Sequence, residues 1–85
     1  MDDTRITSFV RYVPEGDFFG ELAFPNGYGA SVVRHKYSYG GDEGLFEIAV
    51  LRSGKIVYDT PITNDVIGFC DPGVVDYYLN KIAAL

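Results

Sequence analysis

Eight of the ten glycines fall between Gly16 and Gly54, where they divide the chain into short segments rich in aromatic and β-branched residues. Glycine at that density costs a helix about 1 kcal/mol at each interior position, whereas short strands joined by tight turns use it. The middle of the chain is therefore directed into an antiparallel sheet. Phe18–Phe24 reads as a strand closed by Pro25-Asn26-Gly27-Tyr28-Gly29, in which Asn-Gly supplies the positive φ of a tight connection. Alternation then extends a second strand over Ala30–Tyr39, with Val33, His35, Tyr37 and Tyr39 on the inward face and Val32, Arg34, Lys36 and Ser38 on the outward one. Gly40–Gly44 reverses the chain. Leu45–Leu51 returns as a nearly continuous apolar run broken by Glu47, the pattern of a central strand. Arg52-Ser53-Gly54-Lys55 turns it again into Ile56–Asp59, which Pro61 stops for want of an N–H. Arg5–Val13 is a weaker candidate for an N-terminal edge strand, because its alternation is poor.

The period changes near the C-terminus. Asp71 suits an N-cap and Pro72 the first helical position, and Val75, Tyr78, Leu79 and Ile82 recur at three and four residues. Asp76 early and Lys81 late both complement the helix dipole. Thr63–Gly68 reads as a single helical turn closed by glycine. The expected class is thus α+β: a three- to five-stranded antiparallel sheet of hairpins with one C-terminal helix packed on one face, residues 1–85 forming a single domain. A chain of 85 residues that is 47% hydrophobic and 15% aromatic is too apolar to stay disordered. It buries roughly 60% of its unfolded surface, enough for one modest core.

Twelve acids against seven Lys and Arg leave a net charge of −5. That balance opposes general binding to nucleic acid or to a membrane surface, both polyanionic, and favours neutral or basic partners. The lone cysteine, Cys70, excludes an intrachain disulfide and a cysteine-based zinc set. No basic segment with an apolar run opens the sequence and no apolar stretch approaches the length of a membrane span, so the expected location is cytoplasmic.

Few residues suggest chemistry. His35 and Cys70 are the only residues of their kinds, and a thiol just before a helix N-terminus can be activated, but Asp71 beside it acts in the opposite sense. The expectation is packing for both residues, with no catalytic group, cofactor or metal. Gly40-Gly41-Asp42-Glu43 matches four letters of the signature hairpin of diguanylate cyclases. The match ends at Gly44, where that family has an aromatic, in a chain about half the size of the family's domain, so the string reads first as a turn. Gly27-Tyr28-Gly29 lacks the third glycine, helix and Lys-Ser/Thr pair of a phosphate loop. Two acidic groups remain, Glu15, Asp17 and Glu21 around the first strand and Asp42, Glu43 and Glu47 around the central reversal. They are either solvated turn charges or a patch that steers a basic partner. Arg34, His35 and Lys36, near Tyr28, Tyr37 and Tyr39, form the one basic and aromatic stretch. On alternation its basic and aromatic side chains fall on opposite faces, against a nucleic-acid platform.

The run from Phe24-Pro-Asn-Gly-Tyr-Gly-Ala-Ser-Val-Val-Arg-His through Tyr37-Ser-Tyr-Gly-Gly and Leu45-Phe-Glu-Ile-Ala-Val-Leu to Tyr58-Asp-Thr-Pro-Ile-Thr-Asn-Asp-Val-Ile-Gly68 resembles a group of short accessory proteins encoded in tailed-phage and prophage genomes. The resemblance covers about two-thirds of the chain, is most specific over Tyr58–Gly68, and names no activity. It implies a bacterial host cell and a non-virion role. Small acidic phage proteins often inhibit host machinery, as anti-CRISPR and anti-restriction proteins do. The expectation is a non-catalytic protein that binds a host defence or nucleic-acid-processing complex through Asp42, Glu43 and Glu47 with Tyr39 as anchor, and Glu15 and Asp17 second. The alternatives are a homo-oligomer paired through a sheet edge and a small single-stranded nucleic-acid binder using Arg34–Tyr39.

Overall fold

The computed structural model describes residues 6–85. In chain order its elements are β1 (Phe18–Ala23), β2 (Tyr28–Arg34), a 3-10 turn (Gly41–Glu43), β3 (Phe46–Arg52), β4 (Lys55–Ile56), β5 (Ile67–Cys70) and α1 (Pro72–Ala83). The strands form one antiparallel sheet in the order β1-β2-β3-β4, and β5 pairs with β3 on the side that β4 uses further along. This is the expected α+β arrangement, with one sheet and one C-terminal helix. As the apolar run required, β3 lies in the middle, and Phe46 and Ile48–Leu51 are all buried.

Alternation divides the sheet into two unequal faces. Ala30 and Val32 of β2, Phe46, Ile48 and Val50 of β3, and Cys70 of β5 turn to one side, where Val75, Leu79 and Ile82 of α1 close over them. Val10 completes the cluster, and Phe9, Phe18 and Phe46 meet edge to face, with ring centroids 6.4 and 5.9 Å apart. The helix begins as its sequence requires: the Asp71 carboxylate accepts the Val74 N–H at 2.9 Å, and Pro72 follows. Its C-terminal carbonyls are met by a side chain from the β1–β2 turn, where Asn26 Nδ2 donates to the carbonyls of Ile82, Ala83 and Leu85. Arg52 pairs with Lys55 across Ser53 and Gly54, whose φ angles of 53° and 81° are the left-handed pair of a two-residue hairpin.

Five expectations are corrected. The second strand ends at Arg34 rather than Tyr39, because the His35 N–H is taken by the Ser38 hydroxyl and not by a neighbouring strand. Its faces are also reversed: Val32 is fully buried against the helix, whereas Val33 lies on the opposite side and Tyr37 and Tyr39 are exposed. Within the proposed Arg5–Val13 strand, residues 6–13 make no strand and turn at Ser8–Tyr12; Arg5 lies outside the described residues. Their backbone is held by the helix instead. Asp76 accepts the N–H groups of Ser8 (2.6 Å) and Phe9 (3.1 Å), and Asn80 accepts from Ile6 N–H (2.7 Å) and donates to Ile6 O (2.8 Å). Asp76 therefore serves as an anchor for this segment. Of the expected strand Ile56–Asp59 only Ile56 lies in β4, which begins at Lys55, and Thr63–Gly68 contains no helical turn: its end, from Ile67, enters β5 opposite Ile48.

Leu79→Ala should lower stability by about 2–5 kcal/mol, through the cavity it leaves under the sheet. Asp76→Ala should cost about 1–3 kcal/mol, because two backbone donors lose a charged acceptor. Urea denaturation followed by far-UV circular dichroism measures both, and a loss below ~0.5 kcal/mol for Asp76→Ala would show that the N-terminal segment is held by other contacts.

Candidate functional site

The connection from β2 to β3 is built of hydrogen bonds between its own residues. Ser38, the one buried polar residue among the described residues, exchanges bonds with His35: its hydroxyl accepts the His35 N–H (2.9 Å) and donates to His35 O (2.9 Å), which also receives the Ser38 N–H (3.1 Å). Gly41 N–H then reaches Ser38 O, and Glu43 and Leu45 both donate to Gly40 O, all at 3.0 Å. Gly40 and Gly44 close the 3-10 turn at either end with left-handed φ of 89° and 77°. At Gly41 a side chain has no room, since a Cβ there would collide with His35 O.

Two further bonds tie this loop to the sheet. Glu47 Oε1 accepts the Tyr39 N–H (3.0 Å), and Tyr39 O accepts the Phe69 N–H (3.1 Å) from β5. Tyr39 consequently sits over Gly68, and Phe69 takes a left-handed φ of 56° that is unusual for a bulky side chain. The rings so positioned are not buried: Tyr37 is 83% exposed, Tyr39 60% and Phe69 58%. His35 Nδ1 accepts the Tyr37 N–H (3.1 Å), which leaves Nε2 as the protonated nitrogen of the neutral ring, and the imidazole stacks on Phe19 with centroids 5.5 Å apart and planes 13° from parallel.

Beside this loop opens a cleft of about 440 Å³ whose charged lining is Glu15, Asp17, Arg34, Lys36 and Asp42, with His35. The two acidic groups singled out in the sequence thus meet here, Glu15 and Asp17 from the approach to β1 and Asp42 from the 3-10 turn. Glu43 is exposed on that same turn. Glu47 is not a free patch residue as expected: it is half-buried and its carboxylate holds the Tyr39 backbone. Sequence reasoning missed the basic side of the cleft. Arg34 belongs to the core-facing parity of β2, with its guanidinium 4.8 Å above the Phe46 ring, and it donates to Gly16 O (2.8 Å) and Pro14 O, so that it fixes the segment carrying Glu15 and Asp17. The exposure of Phe19 and Phe69 was likewise missed. For Phe19 the signal was its place beside Gly20 in a strand whose other parity, Phe18 and Leu22, is apolar.

Cys70 is fully buried among the core side chains with its thiol against the carbonyls of Ile67 and Gly68 (3.6 and 3.5 Å). Burial, and secondarily the charge of Asp71, push its pKa up to about 11, so the thiol is neutral at physiological pH and unsuited to attack. Gly40–Gly44 forms the tight turn expected of it, and among the described residues no group of three His, Cys, Asp or Glu is placed to hold a metal ion. Among the described residues, no helix is long and apolar enough to cross a membrane. Comparison with family models, with curated proteins and with solved structures yields no match.

Because the folded state holds the Cys70 proton more tightly than the unfolded chain, whose thiol titrates near 9, its contribution is present below pH 9 and is lost as the pH rises through about 11. Wild type should therefore lose up to about 3 kcal/mol more stability than Cys70→Ala over that interval, read from denaturation at a series of pH values. At pH 8 the native thiol should react with a chromogenic disulfide at least ~100-fold more slowly than in denaturant. Equal rates would place the thiol in contact with solvent.

Proposed function

We propose that this chain is a non-catalytic binding protein that docks the 35–45 loop and its acidic rim onto a basic protein surface. The observation that carries this reading is a loop whose backbone is fixed by the Ser38, Glu47 and Phe69 bonds while Tyr37 and Tyr39 stand exposed upon it. A rigid support lowers the ordering cost of binding, and exposed tyrosines supply large contact area with few torsions to freeze. Such rings are common anchors at interfaces. Asp42 and Glu43 on the 3-10 turn, with Glu15 and Asp17 across the cleft, add a negative rim that steers a cationic partner. A standard interface takes about 800 Å² from each partner. That is about one seventh of this molecule's 5641 Å², so one end of the sheet is sufficient.

The resemblance to phage-encoded accessory proteins extends the reading to a partner class: a host defence or nucleic-acid-processing complex, whose nucleic-acid-binding surface is basic by necessity. Covering such a surface would inhibit it without any reaction. Direct binding of nucleic acid is disfavoured by the carboxylates of Glu15, Asp17 and Asp42, which line the same cleft as Lys36 and repel a phosphate backbone.

The test is capture from a bacterial lysate on immobilised protein, with quantitative mass spectrometry of what is retained. Wild type should retain a protein or ribonucleoprotein with a basic surface, in a salt-sensitive manner. The double variant Asp42→Lys/Glu43→Lys and, separately, Tyr39→Ala should each reduce retention about tenfold or more. Retention of the same partner by both variants at wild-type levels would exclude this end of the molecule as the contact surface.

A further inference from the structure

The two borders of the sheet are finished differently. On the side of β4 and β5 the border is broken: β4 has two residues and β5 four, residues 58–66 leave the ladder between them, and the pairing with β3 shifts register between Phe46 and Ile48. Such interruptions keep a border from pairing with another chain. The β1 border has none of them. Phe18–Ala23 runs in unbroken register with β2 and contains no proline, lysine or bulge. Phe24 N–H donates to Tyr28 O at 2.8 Å, which sets the alternation of the ladder. Phe18, Gly20 and Leu22 therefore direct their backbone groups to β2, and Phe19, Glu21 and Ala23 direct theirs outward. Side chains at this border are also incompletely covered: Phe18 and Leu22 face the core yet are only half-buried, and Phe19 is 68% exposed.

We infer that the β1 border is a pairing site for a second copy of this chain, joined antiparallel about a two-fold axis at Gly20. Residues opposite one another must share a face, so near the strand centre the axis can pass only through Phe19, Gly20 or Glu21. An axis at Glu21 sets the two Glu21 carboxylates against each other, and an axis at Phe19 sets Glu21 against the partner's Asp17; both are repulsive. At Gly20 every acid meets an apolar residue. Glu21 lies opposite the partner's Phe19, Asp17 opposite the partner's Ala23, and Phe18 opposite the partner's Leu22, which completes the half-covered core on both sides. In that register Phe19 and Glu21 are hydrogen-bonded pairs that use the outward N–H and C=O groups of both strands. Each copy carries a net charge of −5, so the pairing strengthens with added salt.

Sedimentation equilibrium from micromolar to near-millimolar protein, at low and high salt, tests this. Wild type should pass from monomer to dimer with concentration, and more readily at high salt. Glu21→Pro deletes an outward N–H and leaves the β2 ladder intact, so it should weaken the dimer at least ~10-fold. Phe19→Glu should do the same by opposing the partner's Glu21, whereas Phe19→Lys should preserve the dimer. Circular dichroism establishes that each variant is folded, and should Glu21→Pro not fold, the two Phe19 variants decide alone. A wild type that stays monomeric throughout, including one that accepts only an unrelated extended peptide at this border, would overturn the inference. So would a dimer that responds identically to Phe19→Glu and Phe19→Lys. Tyr39, Asp42 and Glu43, the residues varied in the capture experiment, lie outside β1, so the two tests can fail separately.

Discussion

A sheet has two faces and the described residues have one α-helix to offer them. The parity of β3 decides the assignment: Phe46, Ile48 and Val50 go to Val75, Leu79 and Ile82, and Glu47, Ala49 and Leu51 go to the other side. Covering the first face consumes the fully buried aliphatics of the molecule. What remains on the second is a mixture of Phe19, Val33 and Glu47 in one cross-strand row and Glu21, Ser31 and Ala49 in the next. Antiparallel sheets tolerate such half-solvated faces. The consequence is that Phe19, Glu21 and Val33 keep solvent exposure on a face that the helix does not cover.

The β2–β3 connection illustrates how polar groups substitute for hydrophobic burial where the core ends. Ser38, Glu47 and the Tyr39–Phe69 backbone bond hold a segment from which the core is remote, and each satisfies backbone groups that a strand would otherwise have paired. Order is thereby extended beyond the helix-covered region to the rings of Tyr37 and Tyr39. The strained backbone of Phe69 belongs to the same arrangement, since Gly68 must admit Tyr39 at close approach.

Much of the fold was legible because its strongest elements have strong periods. β1, β3 and α1 stand within about two residues of where alternation, apolar continuity and capping put them. The second strand failed for a definite reason. Val32 and Val33 are equally apolar, so neither declares a face, and once parity is chosen wrongly every later residue is inverted. Its false extension to Tyr39 came from alternation that a serine hydroxyl interrupts, a competition that spacing alone does not reveal. β5 was concealed by Gly68 and the polar turn before it. Of the site, the acids were found because they cluster in turns; their convergence was not, because it depends on Arg34 reaching back to Gly16 and Pro14.

The bonds from Asp76 and Asn80 to Ile6, Ser8 and Phe9 span about seventy positions of sequence, whereas each sheet hairpin joins neighbours. During synthesis the sheet can assemble as soon as β3 has left the ribosome, but its inner face stays open until the helix emerges. The segment from Ile6 to Phe9 waits longest of all, because its acceptors lie about seventy positions downstream. The hydrophobic face of the nascent sheet is therefore exposed for the time needed to translate residues 53–82. In that interval the cell's chaperones have their opportunity to bind it.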